Sequence, residues 1–129
     1  MNLKPEKIIQ ESPSAETEIE SRIKGGDWLC KNCYNKIASD KERYYYSGSS
    51  EFNFTNPQGF QFDIITFTKA DGCNSEGEAI LDYTWFSGYS WNYSTCSQCG
   101  IHLGWKYFGS NTFYGLIKTR LVKALTIMN

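Results

Sequence analysis

The chain is 129 residues long, 16% aromatic, with 13 Lys and Arg against 14 Asp and Glu and a formal net charge of -1. That length suits one domain with a modest core, and a balanced charge without a basic stripe argues against nucleic-acid binding. Abundant aromatics, sparse Leu and Val and the lack of any bilayer-length apolar run favour a β-rich domain over a helical bundle or a membrane span.

Residues 1–26 read as a polar leader, expected to be disordered, with Pro5, Pro13 and a Gly25-Gly26 break; 16–24 could form a short helix carrying Ile19 and Ile23. The first residues are charged and lack the apolar stretch of a secretory signal, so a cytoplasmic location is expected. The domain proper is expected over 27–129. Residues 27–33 (DWLCKNC) form a short strand entering the first CxxC, and 36–47 a polar strand ending in Tyr44, Tyr45 and Tyr46. After a turn at 47–50, Phe52 and Phe54 alternate with polar neighbours in a strand that stops at Asn56-Pro57-Gln58-Gly59, a turn signal. The β-branched and aromatic run 60–68 (FQFDIITFT) is the next strand.

Residues 71–78 read as a polar loop carrying Cys73, with another strand starting near Ala79. A Ser87-Gly88 turn separates Trp85 from Tyr89. Tyr89, Trp91 and Tyr93 then alternate with small polar residues, which places them on one face of a strand leading to Cys96. Residues 101–108 and 112–117 are two further strands about a turn at 109–111, and the tail reads as a strand end followed by one helical turn. The fold class is therefore mostly β, antiparallel and meandering.

Four of the five cysteines form two CxxC pairs, Cys30/Cys33 and Cys96/Cys99. Without a secretory signal this spacing points to metal before disulfides. Four thiolates make the closed tetrahedral set of structural zinc, with no position left for water. Such a site clamps the chain: it closes a long loop that is costly to close unaided, and it contributes folding free energy. Gly100 suits the turn that aims backbone N–H groups at sulfur. A redox pair would open a helix in a βαβ context, which is absent. His102, three residues past Cys99, is surplus to a four-thiolate set and reads as a structural or hydrogen-bonding residue; Cys73 reads as an inert packing thiol.

Trp85, Trp91 and Trp105 support two readings, a filled core with hydrogen-bonded indoles or the walls of a ligand pocket. Their positions beside turns suit the second, and the residues alone leave both open.

The run Trp85-Phe86-Ser87-Gly88-Tyr89-Ser90-Trp91, Cys96-Ser97-Gln98-Cys99 and His102-Leu103-Gly104-Trp105 resembles the thalidomide-binding (CULT) domain of cereblon, most of all its short single-domain bacterial members. Cys30/Cys33, Asn56-Pro57-Gln58-Gly59 and Phe113-Tyr114-Gly115-Leu116-Ile117 fall where that family has its first zinc pair, its Asn-Pro-x-Gly loop and its last core strand. The likeness covers about residues 28–121. It implies a β-tent, two antiparallel sheets pinned by one four-cysteine Zn2+ per chain. It also implies a cage of Trp85, Trp91 and Trp105, with Tyr107 as a fourth aromatic side, for a cyclic imide or similar ring: glutarimide, succinimide, hydantoin or uracil.

In that resemblance the Tyr83 carbonyl accepts from the imide N–H, the Trp85 N–H donates to a ring carbonyl, and Asn56 bonds the ligand from a loop above. Larger animal members have His at the Tyr83 position, a side-chain contact that Tyr83 does not reproduce. The ligand is expected as a free metabolite or a cyclised protein C-terminus. Full-length cereblon also has a Lon-like domain joining a ubiquitin ligase; nothing before Trp28 is long enough for it, so ligase recruitment is not expected. The same fold supports two alternatives. A methionine sulfoxide reductase-like enzyme needs a nucleophilic cysteine after the second zinc pair, which this sequence lacks. A Yippee- or Mis18-like scaffold has no tryptophan cage. The expectation is a non-catalytic binding module.

Overall fold

The computed structural model describes residues 23–128. They form nine strands in two antiparallel sheets. The smaller sheet has the order β2-β1-β9, built from β1 (Asp27–Cys30), β2 (Lys36–Ser39) and β9 (Leu121–Lys123). The larger has the order β3-β4-β8-β7-β6-β5. Its strands β5 (Cys73–Ile80), β6 (Ser90–Cys96), β7 (His102–Phe108) and β8 (Thr112–Ile117) are a meander. The hairpin of β3 (Glu51–Thr55) and β4 (Gln61–Phe67) joins it by pairing β4 with β8. The mostly-β, two-sheet expectation holds; the topology is a meander plus a hairpin docked on its last strand.

Local chemistry accounts for these elements. All four residues of β1 are buried, because it lies between β2 and β9 and carries Trp28 and Leu29. The β3–β4 register is set by its loop: the Asn56 side-chain oxygen accepts from the N–H groups of Gln58 (3.1 Å) and Phe60 (2.8 Å), and Gly59 takes φ +90°. Gly104 in β7 is required by contact. A Cβ there would lie 2.2 Å from the Gly115 carbonyl oxygen of β8, so only glycine lets the two backbones meet.

Three local expectations are corrected. Residues 73–80 are a strand, not a loop: β5 is the edge of the large sheet, and an edge strand open to solvent tolerates Asn74, Ser75 and Glu76. Tyr44, Tyr45 and Tyr46 are not in a strand; a 3-10 turn (Asp40–Glu42) turns the chain, and only single bridging pairs form at Arg43 and Tyr46. The tail holds 3-10 turns Lys118–Arg120 and Ala124–Ile127 on either side of β9. Of the expected leader, residues 1–22 lie outside the described residues, and with them most of the short helix expected over 16–24. Within 23–26, the Lys24 N–H donates to the Asp27 carboxylate at 2.8 Å.

Two apolar clusters fill the interior. One, between the sheets, includes Trp28, Ile37, Ile65, Phe67, Leu103, Leu116 and the sulfurs of Cys30 and Cys96. The other is aromatic, with Phe86, Tyr89, Tyr107 and Phe113 at its centre and Trp85, Trp91 and Trp105 packed against it. Burying a side chain such as Phe86 or Phe113 contributes about 2–3 kcal/mol. Asp40 ties the small sheet together, accepting from Trp28 Nε1 (2.8 Å), Arg43 Nε (2.9 Å) and the Lys123 ammonium.

Candidate functional site

Cys30 ends β1 in the small sheet and Cys96 ends β6 in the large one, so the cluster formed with Cys33 and Cys99 joins the two sheets. Both CxxC turns are built alike. The Tyr34 N–H donates to the Cys30 carbonyl (2.7 Å) and the Gly100 N–H to that of Cys96 (2.8 Å). The Cys30 N–H donates to the Asn35 carbonyl (2.8 Å) and that of Cys96 to the Ile101 carbonyl (2.9 Å). Each turn needs a left-handed residue after its second cysteine, φ +63° at Tyr34 and +79° at Gly100.

The four sulfurs lie within 4.8 Å of one another, with Cys30–Cys99 at 3.7 Å and Cys33–Cys96 at 3.6 Å. A metal about 2.3 Å from each of four tetrahedral sulfurs would space them by about 3.8 Å, so the donor set suits a metal ion. Burial pushes the Cys33 thiol up to about 12 and raises that of Cys30, whereas a hydrogen bond from the Asn32 side chain holds Cys99 down to about 6. Cys99 thus offers a thiolate at neutral pH, and an entering cation would displace protons from its neighbours. His102 is not part of this cluster. Cys73 packs against the core, where burial pushes its thiol up to about 12 and keeps it protonated at neutral pH.

A cavity of about 390 Å³ opens beside the aromatic cluster, within the range of small-ligand pockets. All six residues nominated for the ligand (Asn56, Tyr83, Trp85, Trp91, Trp105 and Tyr107) line it. β6 and β7 place four aromatics on one face: Trp91 pairs with Tyr107 and Tyr93 with Trp105. The walls are continuous. Trp85 meets Trp105 at 5.0 Å and 79°, Trp105 meets His102 at 5.1 Å and 83°, His102 meets Tyr93 at 5.4 Å and 79°, and Tyr93 meets Trp91 at 5.3 Å and 80°. Each junction is a near-perpendicular, edge-to-face contact, which makes corners and leaves ring faces turned to the space between.

The tryptophans are anchored as well as displayed. Trp85 stacks on Phe54 at 5.0 Å and donates its indole N–H to the Thr55 carbonyl (3.2 Å). Trp91 donates to the Asp82 carbonyl (2.7 Å). Core and pocket, the two readings left open by the residues, are thus combined: each indole is half-buried against the aromatic cluster and also lines the cavity. Tyr107 lies deepest, 2% exposed, stacked on Phe113 at 5.2 Å, with its phenol pKa raised by burial. Tyr83 is at the mouth, 76% exposed, with φ +58°.

The polar groups of the cavity are sparse and neutral. Among the described residues no Asp, Glu, Lys or Arg lines it. Among the described residues neither the Tyr83 carbonyl nor the Trp85 backbone N–H has a hydrogen-bond partner, the Trp85 indole N–H being the one bonded to Thr55. The Asn56 oxygen is committed to its own loop, which leaves the Asn56 Nδ2 to donate outward. Phe62, Tyr93 and His102 also line the cavity and were not nominated from the sequence. The signal for Tyr93 was its alternation with Trp91 on one strand face. His102 and Phe62 arrive through a register shift between Ser94 and Thr95 and through the β3–β4 hairpin, neither visible in spacing.

No protein-family model matches the chain. Among curated proteins it is 30% identical to protein cereblon of Gallus gallus over 113 residues, which is 81% of this chain and 25% of that protein. It is 29% identical to protein cereblon of Danio rerio over 104 residues (74% and 24%) and 27% identical to that of Xenopus tropicalis over 112 residues (81% and 25%). The chain spans about a quarter of the length of the curated relatives it matches.

Proposed function

We propose that this cereblon-like CULT domain is a non-catalytic receptor for a flat, neutral cyclic imide or uracil-like ring, held in the cavity of Trp85, Trp91, Trp105 and Tyr107. One observation carries the reading: an unpaired acceptor and an unpaired donor, the Tyr83 carbonyl and the Trp85 N–H, stand two residues apart in a wall of crossed indoles without a charged side chain. A ring that enters loses its apolar edges to the indoles. Its imide N–H then meets the Tyr83 carbonyl, and a ring carbonyl meets the Trp85 N–H. Leaving either group unpaired inside would cost about 1–3 kcal/mol, so the pair selects rings with a donor beside an acceptor. Asn56 closes over the ring as a donor. The ring is either a free metabolite or a cyclised protein C-terminus.

In this reading the four-cysteine cluster holds one structural Zn2+, which fixes β6 and β7 behind Trp91 and Trp105 and takes no part in binding chemistry. The protonated state of Cys73 favours binding over turnover. Five unbridged cysteines suit a reducing compartment such as the cytoplasm. No helix among the described residues is long and apolar enough to cross a membrane.

The test is titration of the purified protein with uracil and with a glutarimide. Saturable quenching of tryptophan emission and a higher melting temperature are expected for both. If neither ring does either, the receptor reading is wrong.

A further inference from the structure

We infer that Arg120, which does not line the cavity, is a positioning residue of the ring pocket: it locks His102 as the neutral Nε2–H tautomer and so fixes one wall in orientation and charge. The inference rests on the receptor reading above for its binding consequence, and on hydrogen-bond roles for the rest.

His102 Nε2 lies 2.8 Å from the Gly104 carbonyl oxygen. A carbonyl can only accept, so Nε2 carries the proton. The other ring nitrogen, Nδ1, lies 3.2 Å from Arg120 Nη1. A guanidinium can only donate, so Nδ1 must present its lone pair. The same Nη1 donates to the His102 carbonyl at 2.8 Å, which holds the guanidinium in place. A doubly protonated imidazole would set an Nδ1–H against the guanidinium N–H, and the arrangement has no acceptor for it.

The surroundings agree. Arg120, from the 3-10 turn Lys118–Arg120, is the charged group that faces the ring; β6 contributes the neutral Tyr93, and among the described residues no carboxylate pairs with His102. Burial lowers the His102 pKa, the Gly104 hydrogen bond opposes this, and the Arg120 charge lowers it again. With both nitrogens engaged, His102 meets Trp105 and Tyr93 as a fixed ring edge and offers the cavity no variable donor. Ring binding is therefore independent of pH across the range in which a free histidine titrates. Without Arg120 nothing would hold Nδ1 unprotonated, so the imidazole would charge more readily than in the wild type, although burial would still disfavour its charged form; on charging it would leave the wall for water and open the cavity on that side.

The experiment combines nitrogen-resolved imidazole NMR of the full chain with uracil titration at about pH 5.5 and about pH 7.5. In the wild-type protein a neutral Nε2–H ring at both pH values and equal uracil affinities are expected. In Arg120→Met the imidazole should titrate at a higher pH than in the wild type, with uracil binding about three- to ten-fold weaker at the lower pH. Arg120→Lys keeps the charge but lacks the planar guanidinium that fixes both donations in direction, so its loss should be intermediate; it serves if the Met variant does not fold. A wild-type Nδ1–H tautomer, or a wild-type ring titrating at its ordinary value, overturns the inference. So does an Arg120→Met affinity lowered by the same factor at both pH values, the mark of a merely structural role. Should uracil fail to bind at all, the receptor reading falls, while the NMR result still decides the state of His102.

Discussion

The residue directly after the second cysteine of each knuckle, Tyr34 in one and Gly100 in the other, shows how one backbone demand is met at different cost. Gly100 takes its left-handed φ freely; Tyr34 takes the same conformation with a side chain that is 56% exposed and repays little. Tyr34→Gly is expected to stabilise the protein by about 1 kcal/mol and Gly100→Ala to destabilise it by a similar amount, read from urea unfolding at constant slope. In the cavity the tryptophans also differ. Trp91→Ala should weaken uracil binding by about 2 kcal/mol, roughly thirty-fold, with a smaller effect on melting. Trp85→Ala should lower both binding and stability, because its ring also stacks on Phe54. Equal losses of stability in the two variants would contradict this division. At this scale the sequence was informative where chemistry is local: CxxC spacing announced the cysteine cluster, whereas tryptophans beside turns left a core and a pocket both open. It put Tyr93 on the face of Trp91 and read His102 as a hydrogen-bonding residue, but was silent on their place in the cavity wall and on Arg120, which depend on contacts between segments apart in sequence.

At the scale of elements, β1 and β9 are held by Asp40, which receives Trp28, Arg43 and Lys123. Burial alone would raise the pKa of its carboxyl; the hydrogen bonds from Lys123, Trp28 and Arg43 outweigh that and lower it. A carboxylate more acidic folded than unfolded stabilises above its unfolded pKa, and the contribution is lost as pH falls through the folded value. Asp40→Asn should therefore cost about 2 kcal/mol at neutral pH, with the gap to wild type closing below about pH 4. A gap that is constant with pH would remove the charge from the explanation. Strands with two-residue alternation or β-branched runs, such as β4 and β6, were legible because their periodicity reflects one buried face. β5 and β9 were not. Asn74 to Glu76 look like loop residues because this edge strand is exposed to solvent on both faces past Cys73, and three-residue β9 is too short to show a period. Both exist because a partner strand offers them hydrogen bonds: β6, the next strand along the chain, for β5, and β1, at the start of the described domain, for β9.

For the molecule as a whole, the cysteine cluster connects the small sheet to the large one at the end opposite in function to the cavity: one end holds metal-type donors, the other aromatic walls. β6 and β7 run between them, so removal of an ion held by the four cysteines should be felt in the pocket. Treatment with a strong chelator is expected to release one zinc per chain, lower the melting temperature on the order of 10 °C or more, and weaken uracil binding in the same step. An unchanged melting curve after chelation, or no zinc by metal analysis, would overturn the structural-metal reading. The overall architecture was legible only as far as strand content and the two cysteine pairs allowed. That β4 would pair with β8 rather than β5 is a choice made by the packed core of Ile65, Phe67 and Leu116, not by any neighbouring turn.

The pairing of β1 with β9, Trp28 opposite Lys123 and Cys30 opposite Leu121, also dictates the order of events at the ribosome. A strand with all four residues buried is made first, and its outer partner is synthesised about ninety residues later, a wait of roughly 5–20 s at ordinary translation rates. During that interval the small sheet lacks a strand and the Trp28 face has incomplete cover. The nascent chain therefore completes its fold after β9 has cleared the exit tunnel, and a ribosome stalled before Leu121 should present an open, chaperone-accessible edge.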